Sequence, residues 1–280
     1  MSRDPDVVET IVSQIGGRKL KIAIEGNISS GKSTLLNHFR NKSYCDVVEE
    51  PVDAWRNLGG DNLLARMYEE PSRWSYTFQS YVLKTMMDVH NKPQDVPLGI
   101  LERSIYSARY CFVENLHSSG LMDDMEYKCY TEWFDFLMAK NRPQLDLIVY
   151  LRTSPEVAYQ RLLSRAREEE RTVPKEYVYA LHRHYETWLA DSSNHCWHGS
   201  TPVLVLDGNQ DMNSYEFLHS DMIEQITAFL GDDSDEEDDT DDLDFDLSQY
   251  LTQTLPVDDA SQWPAAPLAA PLPNLVSASA

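Results

Sequence analysis

Residues 26–33 place Gly26, Asn27, Ile28, Ser29, Ser30, Gly31, Lys32 and Ser33 in the spacing G-x-x-x-x-G-K-S. Glycines so spaced let backbone N–H groups curl around phosphate oxygens, and the positive end of a following helix adds to their pull. Lys32 supplies a point charge to terminal phosphates, and the Ser33 hydroxyl suits Mg²⁺. Thr34 is a neighbouring hydroxyl. Further along, Glu49 and Glu50 follow one apolar run and Glu102 and Arg103 follow another. Arg161, Arg165 and Arg167 crowd into RLLSRAREEER (161–171). This set suits phosphoryl transfer to an alcohol, which needs an in-line hydroxyl, a base for its proton and positive charge over the migrating group.

A scaffold has to bring these groups together. Four short apolar runs predict buried strands: LKIAIEG (20–26), LGILERS (98–104), LDLIVYLR (145–152) and PVLVLDG (202–208), with DVVEEP (46–51) a weaker fifth. Helical patterns cover 72–90, 104–117, 123–140, 154–171 and 174–190, and STLLNHF opens another at Ser33. The alternation predicts an α/β fold, a five-stranded parallel sheet flanked by helices. Ligands then sit at the carboxyl ends of the strands, where the phosphate loop, Glu50, Glu102 and Arg103 fall. Arg161 and Arg165 are spaced i,i+4 and share a helix face, which predicts an Arg-rich lid over a triphosphate.

Charge narrows the partners. All 24 Lys and Arg lie at or before Arg183, whereas 13 of the 46 Asp and Glu follow Gly231, and the chain carries a net −22. Generic binding to nucleic acid or to an anionic membrane is therefore not expected, because no cationic surplus remains to neutralise phosphates. No apolar run approaches the roughly 18 residues of a membrane span. MSRDPDVVET lacks both an apolar signal core and a basic amphipathic pattern, so a cytoplasmic or nuclear location is expected. Cys45, Cys111, Cys129 and Cys196 show no CxxC spacing and read as reduced thiols. His195-Cys196-x-His198 is too weak a pattern for a metal site, and His182 and His184 read as surface packing. Asn27-Ile28-Ser29 fits a glycosylation pattern but lies inside the cradle.

The composition divides the chain into a flexible arm (1–17), a catalytic domain (18–231) and a disordered tail (232–280), acidic and then Pro/Ala-rich. Within the tail LDFDLSQYL (243–251) interleaves apolar and acidic groups. It reads as a solubilising stretch, or as a segment that folds onto an unidentified partner.

Other motifs separate the classes of phosphate-loop protein. A guanine-reading Asn-Lys-x-Asp is missing; Asn91-Lys92-Pro93-Gln94-Asp95 is one residue too long. The third strand ends in Glu102-Arg103-Ser104 rather than in the Asp usual for water-mediated hydrolysis. Glu49 or Glu50, beside an acceptor, can be the base, while Glu102 can help hold Mg²⁺ and Arg103 can brace the base or a phosphate.

With these positions marked, the chain resembles the deoxynucleoside kinases, in the branch that includes thymidine kinase 2 and the insect multisubstrate enzymes. EEPVDAWRN (49–57), ARMYEEPSRW (65–74), FQSYV (78–82), ERSIYSARYCFVENL (102–116) and DLIVYLRTSPEVAYQRLLSRAREEE (146–170) carry the likeness, over residues 18–230. The resemblance implies a P-loop kinase fold and transfer of the γ-phosphate of ATP, with Mg²⁺, to the 5′-hydroxyl of a deoxynucleoside. It implies Glu50 as base with Arg103 beside it, Lys32 among the catalytic groups, Glu102 acting through Mg²⁺, and Arg165 and Arg167 in the lid. Tyr68 and Glu170 would hold the sugar 3′-hydroxyl, Gln79 would read the base edge, and Trp55 and Phe112 would flank the base. Where purine- and deoxycytidine-favouring relatives carry charged groups, this chain has Met86 and Ala108, which implies a pyrimidine preference. A homodimer is implied as well. The alternatives are a nucleoside monophosphate kinase, for which the acceptor stretch 49–57 offers Arg56 alone, and a nucleotide-dependent binding protein acting through its acidic tail.

Overall fold

Alternation of apolar side chains along the strands builds two cores, one on each face of the sheet. The computed structural model describes residues 18–40, 42–167, 170, 173–190, 201–210 and 226. The expected N-terminal arm, the tail with its 243–251 segment, Glu168, Glu169, His195, Cys196 and His198 lie outside these residues. The strands are β1 (Leu20–Glu25), β2 (Cys45–Val48), β3 (Leu98–Glu102), β4 (Leu147–Arg152) and β5 (Val203–Asp207). They pair in parallel in the order β2-β3-β1-β4-β5. β1 lies in the middle, and the chain crosses from one side of it to the other between β3 and β4. The carboxyl ends of β1, β2 and β3 therefore converge on one edge, as the parallel pattern predicts.

On one face Leu20, Ile22 and Ile24 of β1 pack with Leu147, Val149 and Leu151 of β4 against Leu35, Leu36 and Phe39 of α1 (Lys32–Phe39). The opposite face carries Ala23, Leu101, Ile148 and Tyr150. It packs on Ala158 and Leu162 of α7 (Pro155–Arg165) and on Val178, Leu181 and Tyr185 of α8 (Lys175–Tyr185). Short helices α2 (Val52–Arg56) and α3 (Leu63–Glu69) lead into the long α4 (Pro71–His90). After β3 comes α5, which runs Ile105–Ser107, winds as a π-helix over Ala108–Val113 and continues through Glu114–Ser118. Trp55, Phe78, Val82, Met86, Ile105 and Ala108 form a third core with Tyr130 and Phe134 of α6 (Asp124–Asn141).

Two helix ends differ from the sequence pattern. The pattern 154–171 stops as a helix at Arg165, because Ala166 adopts a left-handed φ of 50° and its N–H caps Leu162. The pattern 174–190 is helical to Tyr185 and then widens into a π-helix over Glu186–Ala190. His182 is buried, with its Nε2 4.0 Å from Glu186, so it belongs to the interior rather than to the surface. Cys45, Cys111 and Cys129 are free thiols. Among the described residues no helix is long and apolar enough to cross a membrane, and no cluster of His, Cys, Asp and Glu suits a metal ion.

Candidate active site

A cleft of about 660 Å³ opens along the carboxyl edge of the sheet. Its phosphate end is the loop after β1. Gly26 has φ 147°, and a Cβ there would stand 2.7 Å from the Leu151 carbonyl oxygen, so only glycine lets the loop leave β1 this closely. Gly31, at φ 110°, starts α1. Ile28, Ser29, Gly31, Lys32, Ser33 and Thr34 line the cleft, whereas Gly26, Asn27 and Ser30 build the loop from behind. Asn27 Nδ2 donates to the Val178 carbonyl at 2.8 Å and ties the loop to α8. The Ser30 carbonyl accepts from Thr153 Oγ1 and from Arg161 Nη1, both at 3.0 Å.

Lys32 is buried, and its Nζ donates to the carbonyls of Gly26 at 3.0 Å and Asn27 at 2.7 Å. Burial first, and then the neighbouring Arg103, lower its ammonium to about 7, against the pull of Glu102, Glu50 and Glu25. A polyphosphate in the cradle would reverse this by adding negative charge. Ser33 Oγ donates to Glu102 Oε1 at 2.7 Å, which puts two hard oxygen donors side by side at the cradle. That pairing fits Mg²⁺, an ion held through one or two protein oxygens and the phosphates themselves.

Arg103 occupies the floor. Its φ of 59° turns the chain sharply as β3 ends and sends the side chain back toward the loop. All three guanidinium nitrogens are engaged: Nη1 with Glu50 Oε2 at 2.6 Å, Nη2 with the Gly26 carbonyl at 3.2 Å, and Nε with Tyr185 Oη at 3.2 Å. The guanidinium also lies 5.1 Å from the Phe112 ring centre. Burial opposes its charge, but Glu50, Tyr185 and Glu25 keep it firmly protonated. Burial raises the Glu50 carboxyl above its ordinary value, assisted by Glu102 and resisted by Arg103 and Lys32. A carboxylate shifted upward by burial and beside a fixed cation is what a general base in a cleft requires.

Beyond Glu50 the cleft becomes apolar. Trp55, Phe78, Val82, Met86, Ala108 and Phe112 line it. Trp55 Nε1 donates to Thr85 Oγ1 at 2.9 Å, and its ring meets Phe78 edge-on at 5.7 Å. Ala108 and Phe112, four residues apart on this helix, both face the cleft. Gln79 is 2% exposed, and its Oε1 has no hydrogen-bond partner among the described residues. A buried amide oxygen left unpaired costs about 1–3 kcal/mol, so it calls for a donor from a bound molecule. Burial, with Tyr177 and Glu170 nearby, raises the Tyr68 hydroxyl above its usual range.

Arg165, Arg167 and Glu170 close the rim: Arg165 Nη2 lies 2.6 Å from Glu170 Oε1, and Arg167 lies 3.7 Å from the same oxygen. The face-sharing expected of Arg161 and Arg165 ends in two different places. Arg161 turns inward and donates to the carbonyls of Ser30, Gly208 and Gln210, so it braces the phosphate loop against the end of β5.

A sequence profile of the deoxynucleoside kinases matches residues 22–231. The chain belongs to the deoxynucleoside kinase family. Among its relatives, the mitochondrial thymidine kinase 2 of Homo sapiens is 47% identical over 195 residues, covering 70% of this chain and 73% of that protein. The deoxycytidine kinase of Mus musculus is 36% identical over 246 residues, 78% of this chain and 94% of the relative. The deoxycytidine kinase 1 of Xenopus laevis is 36% identical over 239 residues, 75% and 90% respectively.

In this deoxynucleoside kinase the cleft also takes in groups that the sequence reading did not single out as site residues: Phe78, Val82, Ser104, Ser107 and Tyr177. Tyr177 sits on α8 among residues whose helical spacing marks only a core face, which hid its role as a cleft wall. Glu25 and Tyr185 touch Arg103 or its neighbour from behind the cleft.

Proposed function

We propose that this kinase transfers the γ-phosphate of ATP to the 5′-hydroxyl of pyrimidine deoxynucleosides, thymidine and deoxycytidine, for nucleotide salvage. The observation that carries this reading is the placement of Glu50. Its carboxylate, pinned by Arg103 at 2.6 Å, stands between the phosphate cradle and a chamber floored by apolar groups and Gln79. The 5′-oxygen attacks the γ-phosphorus as Glu50 takes its proton; the bond from that phosphorus to the bridging oxygen breaks, and ADP leaves. Arg103 holds the carboxylate in line. Lys32, with Arg165 and Arg167 from the rim, places positive charge against the phosphate oxygens. Ser33 and Glu102 would hold Mg²⁺, which neutralises charge on those oxygens when it is bound with ATP.

On the acceptor side Tyr68 and Glu170 receive the sugar 3′-hydroxyl, Gln79 makes a two-point amide contact with the base edge, and Trp55 and Phe112 flank the ring. Met86 and Ala108, both buried, leave the end of the chamber without charge, which favours a compact pyrimidine. The relatives named as thymidine and deoxycytidine kinases support these two acceptors. A monophosphate acceptor would need further cations there, and Arg56 lies beside Asp53, at 3.9 Å.

We extend the proposal to a homodimer. Met125, Trp133 and Phe136 of α6 stand 67%, 56% and 53% exposed, an apolar stripe suited to a second copy of the chain. The domain limits 18–231 and a cytoplasmic or nuclear location are part of the same reading. Labelled phosphate transfer from Mg-ATP to thymidine, deoxycytidine, deoxyadenosine and deoxyguanosine in parallel tests it. Transfer to the two pyrimidines with much slower purine turnover is expected. Equal purine rates would remove the selectivity attributed to Met86 and Ala108, and no transfer to any nucleoside would overturn the acceptor assignment.

A further inference from the structure

β1 ends in a carboxylate for which the reaction as assigned has no use. Glu25 is wholly buried, on the face of β1 turned toward α8. One of its oxygens accepts from the Ser104 backbone N–H at 2.7 Å and from Ser104 Oγ at 2.6 Å. The other accepts from the Tyr185 hydroxyl at 3.3 Å. Every contact donates toward Glu25, which favours its ionised form, although burial raises the carboxyl to about 7. An ionisable group here is costly compared with an apolar one of similar size, so packing alone does not account for it.

What Glu25 touches is the support of Arg103. That residue's left-handed backbone is strained for any side chain other than glycine, and its neighbours hold it there. On one side Arg103 N–H donates to the Ile24 carbonyl at 3.0 Å; on the other Ser104 N–H is held by Glu25. Through Tyr185 the same carboxylate also reaches the Nε edge of the guanidinium, opposite the nitrogen that grips Glu50. We infer that Glu25 is a positioning residue: it fixes the turn and the guanidinium of Arg103, and so aims the Glu50 carboxylate at the acceptor hydroxyl. This rests on the reading of Glu50 as the base. It makes Glu25 act on turnover through Glu50, not on the binding of either substrate.

The test uses Glu25→Gln, which keeps an acceptor for Ser104 and the side-chain volume but removes the charge. Turnover, both Michaelis constants and the unfolding midpoint are measured in the wild-type and Glu50→Gln backgrounds. In the wild-type background kcat falls about tenfold, the worth of one charge-assisted hydrogen bond. Both Michaelis constants stay within about twofold. In the Glu50→Gln background the further fall is under about twofold, because residues acting through one group are not additive. Tyr185→Phe keeps the ring and the Ser104 clamp but removes the bridge. It gives about a threefold fall with the same non-additivity, and carries the test if Glu25→Gln folds poorly. Unchanged kcat in both variants overturns the inference, as does a fall repeated in full without the Glu50 carboxylate. Inactive Glu50→Gln beside fully active Glu25→Gln and Tyr185→Phe would overturn this inference alone. Full activity of Glu50→Gln would remove the base assignment and this inference with it.

Discussion

Arg103 and Glu50 meet at 2.6 Å on the floor of the cleft with side chains 8% and 15% exposed, and Arg165 and Glu170 meet at the same distance on its rim with side chains 32% and 13% exposed, so the two pairs differ in the arginine. Chemistry and separation are equal; the anchoring is not. The floor arginine has a protein partner on each nitrogen and a ring beneath it, and its backbone is locked from both sides. The rim carboxylate is shared by Arg165 and Arg167, and all three follow or end a helix that stops at a left-handed alanine. The rim arginine keeps its open side toward solvent, so under the proposed lid role it can take up a phosphate oxygen in place of Glu170. A floor built this way holds its geometry before substrate arrives, whereas the proposed lid role has the rim arginines turn from Glu170 to phosphate oxygens when it does.

Four substitutions and conditions bear on that contrast. Arg103→Lys keeps the charge but not the three-way fork, and kcat should fall on the order of 10- to 100-fold with the ATP Michaelis constant nearly unchanged. Steady-state kinetics check this, and a loss confined to the Michaelis constants would make the floor behave like the rim. Gln79→Ala removes the amide aimed into the chamber and should raise the Michaelis constant of every accepted nucleoside about tenfold, more than it lowers kcat. An unchanged constant would place base recognition elsewhere. Arg165→Ala should raise the apparent ATP constant about three- to tenfold, an effect that shrinks as salt is added.

The last lies beneath the floor. His90 Nε2 accepts from Ile105 N–H at 3.1 Å, the next backbone donor after the Ser104 N–H held by Glu25, and burial lowers the imidazole to about 4. Since the folded value lies below the unfolded one, the neutral ring contributes stability above about pH 6.5, and that contribution is lost as pH falls toward 4. The stability gap between wild type and His90→Gln, read by chemical denaturation, should therefore narrow by up to about 3 kcal/mol over that range. A gap independent of pH would mean that the ring is not held neutral.

Much of this organisation is legible in the residues. Apolar runs bounded by turn residues mark the strands. Four lie within two residues of the strand they predict, and the central ones, buried on both faces, have little else to be made of, whereas DVVEEP (46–51) runs three residues past the end of β2, an edge strand that is only half-buried. Parallel order then put the phosphate loop, Glu50 and Arg103 on one edge without further information. Glu25 was invisible for the same reason: in LKIAIEG it reads as the polar end of a strand, and only the turn of Ser104, 79 residues away, shows what it holds. Tyr185 is concealed in an amphipathic pattern that marks burial but not a hydroxyl's partner. The pattern 154–171 runs past the helix that forms, because Ala166 carries no glycine signal for its left-handed stop. Arg161 lines the cleft as its spacing with Arg165 suggests, but its guanidinium also holds three backbone carbonyls, which spacing does not show.

The most direct test of the central claim pairs two readings on one variant, Glu50→Gln: calorimetric affinity for Mg-ATP, and turnover of thymidine. The account predicts ATP affinity within about twofold of wild type and a fall in kcat of at least about a hundredfold, the low end for a lost general base. Near-normal turnover with intact ATP binding would contradict it and remove Glu50 from the chemistry.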